Sequence, residues 1–174
     1  MAIHLILLAL NVSWRMNEMT LLEVSEILDA SKGVAGFDLG SAATASLERI
    51  RAAYNGCGPD RWPENVRESL DDMTRLFAPS ILVHDVDFDY SDGTDKRLHE
   101  ANSRLHSNNR AILRHRYPLL SWQMLKSEYR RERAKAVAVM AALNAFTGDT
   151  LTRKAWLAAH ERNRGENDWG VGCP

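Results

Sequence analysis

Apolar residues recur every three to four positions along most of the chain, a spacing that predicts a succession of amphipathic helices. Glycine, proline and asparagine separate these stretches, and such residues are typical of turns. The pattern therefore predicts a mainly α fold class, built as a small helical domain. The predicted helices cover residues 16–30, 41–54, 64–76, 95–114, 121–146 and 150–162.

The stretch 80–90 is less clear, because its apolar positions do not follow one period. It contains β-branched and aromatic residues that are common in strands, among them Ile81, Val83 and Phe88. Pro79, just before this stretch, suits the first turn of a helix. On the pattern alone, a helix and a strand both remain open.

The chain length of 174 residues suits a single domain with its own hydrophobic core. We predict one helical domain over 1–163 and a poorly ordered tail over 164–174. The apolar run 1–12 is too short to span a bilayer, and is either a buried element or a weak export signal. Without an export signal, the protein is expected in the cytoplasm. Two cysteines, Cys57 and Cys173, are too few for a disulfide framework.

Charge is divided unevenly between the two halves of the chain. Residues 1–95 carry 7 Lys and Arg against 16 Asp and Glu, whereas residues 96–164 carry 15 against 5. Either the two halves pack together and neutralise each other, or the basic half forms a surface for phosphate groups.

The first candidate for chemistry is the turn-rich segment 54–60, Tyr-Asn-Gly-Cys-Gly-Pro-Asp. Its two glycines let the backbone bend sharply and direct carbonyl oxygens inward. Ca²⁺ is a hard cation that accepts backbone carbonyls together with carboxylates. The segment therefore suits either a calcium loop or an ordinary turn between two helices.

The second candidate is the pair His84-Asp85. On a helix, neighbouring side chains point about 100° apart, so the two would face adjoining positions rather than each other. Three further acids, Asp87, Asp89 and Asp92, make the neighbourhood attractive to cations. The alternative is a solvated acidic helix end that carries one histidine.

Together, the Tyr-x-Gly-Cys-Gly segment and the following His-Asp resemble the phospholipase A2 superfamily, in particular its short, disulfide-poor phage and bacterial members. The resemblance covers about 54–110, within a core of 54–115, and leaves the flanking helices unmatched. It implies that 80–90 is a helix and that an antiparallel helix pair carries the His-Asp site. It also implies a calcium-dependent phospholipid ester hydrolase with Ca²⁺ as cofactor.

The resemblance implies a role for each matching residue. His84 would be the general base that activates water, which suits an imidazole because its pKa lies near neutrality. Tyr90 would brace the histidine network. The metal ligands would be Asp85 and carbonyls near Gly56, Gly58 and Asp60.

The chain departs from the family pattern at three places. In the loop, Pro59 or Asp60 stands where the family usually has a glycine. Phe88 stands where the family has a tyrosine, and it lacks the hydroxyl group. Asn102, on the partner helix, stands where an aspartate would orient the histidine. Asparagine can accept a bond from the imidazole but cannot stabilise an imidazolium by charge. The scaffold is therefore either an active hydrolase or a catalytically relict one.

Asn102 also shares a helical stripe with His99 and His106. This stripe is either part of a metal site or, on the simpler interpretation, a polar seam between two helices. In both cases it puts Asn102 where His84 could meet it.

The third candidate is a basic surface over 110–135. It is either a solvated helix face whose long side chains cover the core or a binding surface. A binding surface would take an anionic membrane surface, a phospholipid or a protein as partner, whereas the lack of a nucleic-acid motif makes nucleic acid an unlikely one. The alternative function is thus a non-enzymatic phage interaction protein, either a virion component or an inhibitor of a host system. The cations are Arg110, Arg114, Arg116, Lys126, Arg130, Arg131, Arg133 and Lys135.

Overall fold

The computed structural model describes residues 19–54, 64–148 and 150–168, and this part of the chain is mainly helical, without a strand. The predicted mainly α fold class is therefore confirmed. Residues 1–18 of the predicted domain lie outside the described residues. The seven α-helices of the described part are α1 (Leu21–Lys32), α2 (Leu47–Ala53), α3 (Glu64–Thr74), α4 (Ala78–Asp89), α5 (Asp95–Arg116), α6 (Ser127–Phe146) and α7 (Thr150–Asp168).

Side chains at the helix starts explain why several helices begin where they do. Thr20 caps α1 in a capping box, since its Oγ1 accepts from the Glu23 amide at 3.2 Å and the Glu23 carboxylate accepts from the Thr20 amide at 2.7 Å. Thr94 Oγ1 caps α5 by accepting from the Arg97 amide at 3.3 Å. Pro79 lies in the first turn of α4. The first-turn position of Pro79 agrees with the sequence prediction.

Helix α4 is the central element of the described fold. It packs against α1, α2, α5, α7 and a 3-10 turn over Gly40–Ala43. Leu82 and Val86 are fully buried, and so is the polar Ser80. No residue of α4 is fully exposed, so the helix has no strongly solvated stripe, which is why its sequence shows no clear period. The helical assignment of 80–90 is confirmed.

Helices α4 and α5 are antiparallel neighbours. Ser80 of α4 hydrogen bonds to Asn109 of α5, and one turn further along α4, His84 meets Asn102. The five-residue connection between the helices leaves little alternative to antiparallel packing. The predicted antiparallel pair is thus present, and it carries His84.

Several helix boundaries differ from those that the sequence predicts, among them the start of α1, which is at Leu21 rather than at residue 16. The predicted helix 121–146 is divided, because a 3-10 turn over Trp122–Leu125 is followed by an extended residue, Lys126, before α6 begins. The predicted helix 41–54 is likewise a 3-10 turn followed by α2, capped by Ser46. Helix α7 extends to Asp168, so residues 164–168 of the predicted disordered tail are helical.

None of the helices described is long and apolar enough to span a lipid bilayer.

Candidate functional site

His84 and Asn102 form a hydrogen-bonded pair across the α4–α5 interface. His84 Nε2 lies 3.0 Å from Asn102 Oδ1, and Asn102 Nδ2 donates to the Thr147 carbonyl at 3.0 Å. The Asn102 amide nitrogen donates to Thr147, so the Asn102 oxygen is the atom that faces the ring. Because that oxygen can only accept, His84 Nε2 must donate. In the neutral imidazole, the proton is therefore on Nε2 and the basic lone pair is on Nδ1.

The imidazole of His84 lies in an aromatic environment. Its ring centroid is 4.6 Å from that of Phe88, which in turn makes an edge contact with Trp156 at 5.0 Å. Burial lowers the pKa of His84 below its ordinary value, and the Asn102 bond and the charge of Asp87 offset only part of that effect. His84 is half-buried and neutral at pH 7, the protonation state that a general base requires.

His106 lies one helical turn beyond Asn102 and makes a similar bond. Its Nε2 is 2.6 Å from Thr147 Oγ1, which itself donates to the Asn144 carbonyl at 2.8 Å. His106 therefore donates as well, and burial, followed by the charge of Arg110, lowers its pKa. Asn102 and His106 together bond both polar groups of Thr147, which confirms the polar seam. His99 is exposed.

The predicted cation-attracting acids instead bind cations of the protein or local groups. The Asp87 side chain is 5% exposed, accepts from the Ser41 amide at 3.1 Å and pairs with Arg104. Asp89 pairs with Arg49 at 2.7 Å. Asp92 accepts the Thr94 amide at 2.9 Å. Each of these three acids is thus engaged by a group of the protein itself.

Asp38, Arg104 and Asn108 continue this network into the loop after α1. Arg104 Nε donates to Asp38 Oδ2 at 2.9 Å, so one guanidinium bridges two carboxylates. Asn108, fully buried, bonds both the amide and the carbonyl of Asp38 at 2.8 Å. Sequence reasoning missed this network, because Asp38 and Arg104 are 66 residues apart and no local signal joins them.

The predicted metal ligands are only partly described. Gly56, Gly58 and Asp60 lie outside the described residues. Asp85 is half-buried on α4, next to His84 along the chain. Across the described ranges, no group of three or more His, Cys, Asp or Glu side chains has the arrangement of a metal site.

Tyr90 does not bond to His84 in the described part of the chain. Its ring lies beneath the Arg49 guanidinium, 4.1 Å from the ring centroid, at the end of α4. Asn102 and Phe88 therefore hold the imidazole where the sequence analysis had assigned a bracing role to Tyr90.

A second candidate place is the connection between α5 and α6, which we call the α5–α6 tip and define as residues 117–126. It carries four exposed apolar side chains within seven positions, flanked by the predicted basic surface on both helices. They are Leu119, Leu120, Trp122 and Leu125, with exposed fractions of 62%, 103%, 67% and 83%.

Comparison with other proteins adds no family to this geometry. No protein-family model, no characterised protein and no solved structure matches the chain. Two places in the described part of the molecule are candidates for function, the polar seam around His84 and the exposed α5–α6 tip.

Proposed function

We propose that this protein is a phospholipase A2-like ester hydrolase in which His84 is the general base. The observation that supports this proposal is the bonded chain from His84 through Asn102 to the Thr147 carbonyl. The chain orients the ring and keeps the Nε2 proton in place. It leaves the Nδ1 lone pair to accept a proton from water, the task of a base in ester hydrolysis.

The reaction would begin when a water molecule, positioned at Nδ1, attacks the ester carbonyl carbon and transfers its proton to the ring. The imidazolium then returns this proton to the departing alkoxide, so that the acid and the alcohol leave and His84 is neutral again. Asn102 accepts the Nε2 hydrogen bond throughout. As a neutral amide it orients the ring without stabilising the imidazolium by charge, so a slow enzyme is expected.

Calcium would supply charge stabilisation for the developing oxyanion. It requires about six to eight oxygen ligands, and Asp85 is the single predicted ligand among the described residues.

The test is hydrolysis of a phospholipid ester in the presence of Ca²⁺. We expect His84→Gln to abolish turnover, because glutamine keeps the donor to Asn102 and lacks the base. The matched control is His99→Gln, which changes an exposed histidine on the neighbouring helix and should retain full activity. Equal activity of His84→Gln and the unmodified protein would exclude His84 as the base.

Calcium binding is tested separately by thermal unfolding. A ligand that binds only the folded chain raises the melting temperature, and the stabilisation grows with the logarithm of its concentration over Kd. We expect the melting temperature to fall when EDTA is added to the calcium-loaded protein. No change would remove calcium from the proposal and leave the role of His84 open to the activity assay.

A second candidate function is a non-enzymatic interaction protein, such as a virion component or an inhibitor encoded by a phage. The exposed α5–α6 tip favours it, since its apolar side chains serve no purpose in the described core. This candidate predicts that His84→Gln leaves the biological activity intact, whereas substitutions at the tip remove it.

A further inference from the structure

The α5–α6 tip exposes an unusual amount of apolar surface. Leu120 is as exposed as a side chain in an extended peptide, at 103%, and Leu125 follows at 83%. Single exposed leucines are ordinary on protein surfaces, but a group within seven consecutive positions indicates an interaction site. Its projection at the turn between two helices makes this surface a protrusion rather than a groove.

The exposure belongs to an ordered segment. Arg130 Nη1 donates to the carbonyls of Met124 and Leu125 at 3.0 and 3.3 Å. The Tyr129 hydroxyl donates to the Pro118 carbonyl at 3.4 Å. These bonds tie both ends of the tip to the first turn of α6, so that its apolar side chains are held outward before any partner binds.

Cations surround the apolar side chains. Lys126 Nζ lies 4.6 Å from the centroid of the Trp122 ring, and the Arg116 guanidinium lies 5.4 Å from that of Tyr117. Residues 110–135 carry 8 Lys and Arg against 2 Glu. Apolar side chains at an apex with cations behind them match the profile of an anionic bilayer, in which phosphates lie outside the acyl chains.

We propose that the α5–α6 tip inserts into the surface of an anionic phospholipid membrane. Leu120 and Leu125 would enter the boundary of the acyl chains, and Trp122 would lie at headgroup level, where its amphipathic ring is favoured. Lys126 and the arginines of α5 and α6 would bind lipid phosphates. The contacts are independent of His84, so this inference goes beyond the proposed hydrolase and stands without it.

An anionic bilayer accounts for the tip better than other partners do. Nucleic acid would use the cations but leave the leucines in water. A protein groove would bury the leucines, but the excess of positive charge on both flanking helices would then need a matching acidic rim. An anionic bilayer offers phosphates to the cations and an apolar interior to the leucines.

The experiment is co-sedimentation of the full chain with vesicles of phosphatidylcholine alone or mixed with phosphatidylglycerol. We expect binding to the mixed vesicles that weakens as salt is added. The double variant Leu120→Asp with Leu125→Asp should bind at least about tenfold more weakly, because two leucines lose their apolar contact. The control is Leu22→Asp, at a leucine of α1 that is 68% exposed, which should bind as the unmodified protein does.

The charge contribution has its own pair of variants. Arg114→Glu with Arg131→Glu reverses two exposed cations beside the tip and should abolish the preference for phosphatidylglycerol. Lys96→Glu with Lys154→Glu reverses two exposed cations elsewhere and should leave most of that preference intact. Equal binding of the unmodified protein to both kinds of vesicle would overturn the proposed anionic selectivity.

Three other results would overturn the insertion. The first is no binding to either kind of vesicle. The second is a self-association, seen by analytical ultracentrifugation without lipid, that Leu120→Asp with Leu125→Asp abolishes, since the tip would then contact a second copy. The third is a melting temperature of that variant far below that of Leu22→Asp, which would mean that the chain itself covers the tip.

Discussion

Gly40 lies so close to Arg104 that a Cβ atom added at residue 40 would be 2.7 Å from the arginine Nε. The glycine also has a φ of 49°, in the left-handed region that L side chains rarely adopt. Arg104 cannot easily move away, since it is paired with both Asp38 and Asp87. Both the backbone conformation at residue 40 and the ion pairs of Arg104 therefore require a residue without a side chain at this position.

Gly40→Ala should lower the free energy of unfolding by about 1–3 kcal/mol, because it combines backbone strain with a steric clash. Gly36→Ala is the matched control: residue 36 has a φ of 80° and no neighbour within 4 Å of an added Cβ, so it reports the backbone strain alone. Urea denaturation of both variants measures the difference. Equal losses of unfolding free energy in the two variants would show that Arg104 moves away from the new methyl group without destabilising the fold.

Asp87→Asn should destabilise the fold by about 2–4 kcal/mol, since it leaves a mostly enclosed guanidinium with one carboxylate in place of two. The Asp87 side chain is 5% exposed, and its partner Arg104 is 21% exposed. Asp95→Asn provides the comparison, because the Asp95 bond to Arg153 lies on the surface and its loss should be much smaller. Denaturant titration measures the loss of unfolding free energy in both variants. A larger loss for Asp95→Asn than for Asp87→Asn would contradict this ranking.

Acidification should destabilise the protein through His84 and His106. Burial lowers the pKa of both histidines in the folded state, so the unfolded chain binds protons more readily. Their contribution to stability is therefore complete above the ordinary histidine pKa, about 6.5, and decreases as the pH falls below it. Unfolding free energies of the unmodified protein and of His84→Gln with His106→Gln, measured from pH 7.5 to 5, should show a shallower pH dependence in the variant. The same slope of unfolding free energy against pH in both proteins would contradict this prediction.

Asn102→Asp should raise the pKa of His84, because a carboxylate 3.0 Å from Nε2 stabilises the imidazolium. The new side chain cannot donate to the Thr147 carbonyl, so a stability loss of about 1 kcal/mol is also expected. NMR titration of the His84 ring protons measures the pKa. If His84 is the base of a hydrolase, turnover should increase in the same variant. Asn102→Ala should lower both the pKa of His84 and the turnover.

The sequence by itself determined that the chain is helical and where several of the helices begin. The signals at these places are local: Thr94 caps α5 with its own hydroxyl group, and Pro79 occupies a first turn that needs no amide hydrogen. The meeting of His84 with Asn102 was also predictable, because a short turn forces α4 and α5 to be antiparallel. That placement depended on a family resemblance as well as on spacing.

Only the tertiary structure decided what these helices do with their polar and apolar side chains. The Thr147 carbonyl that orients Asn102 lies 45 residues away in the chain, and Asp38 lies 66 residues from Arg104. The leucines of the α5–α6 tip are the same residue type as the leucines of the core, so the sequence does not distinguish them. Their exposure follows from the break at Lys126, where the chain turns before α6. Local signals place secondary structure because they act within one turn, whereas partners and exposure depend on which distant surfaces pack together.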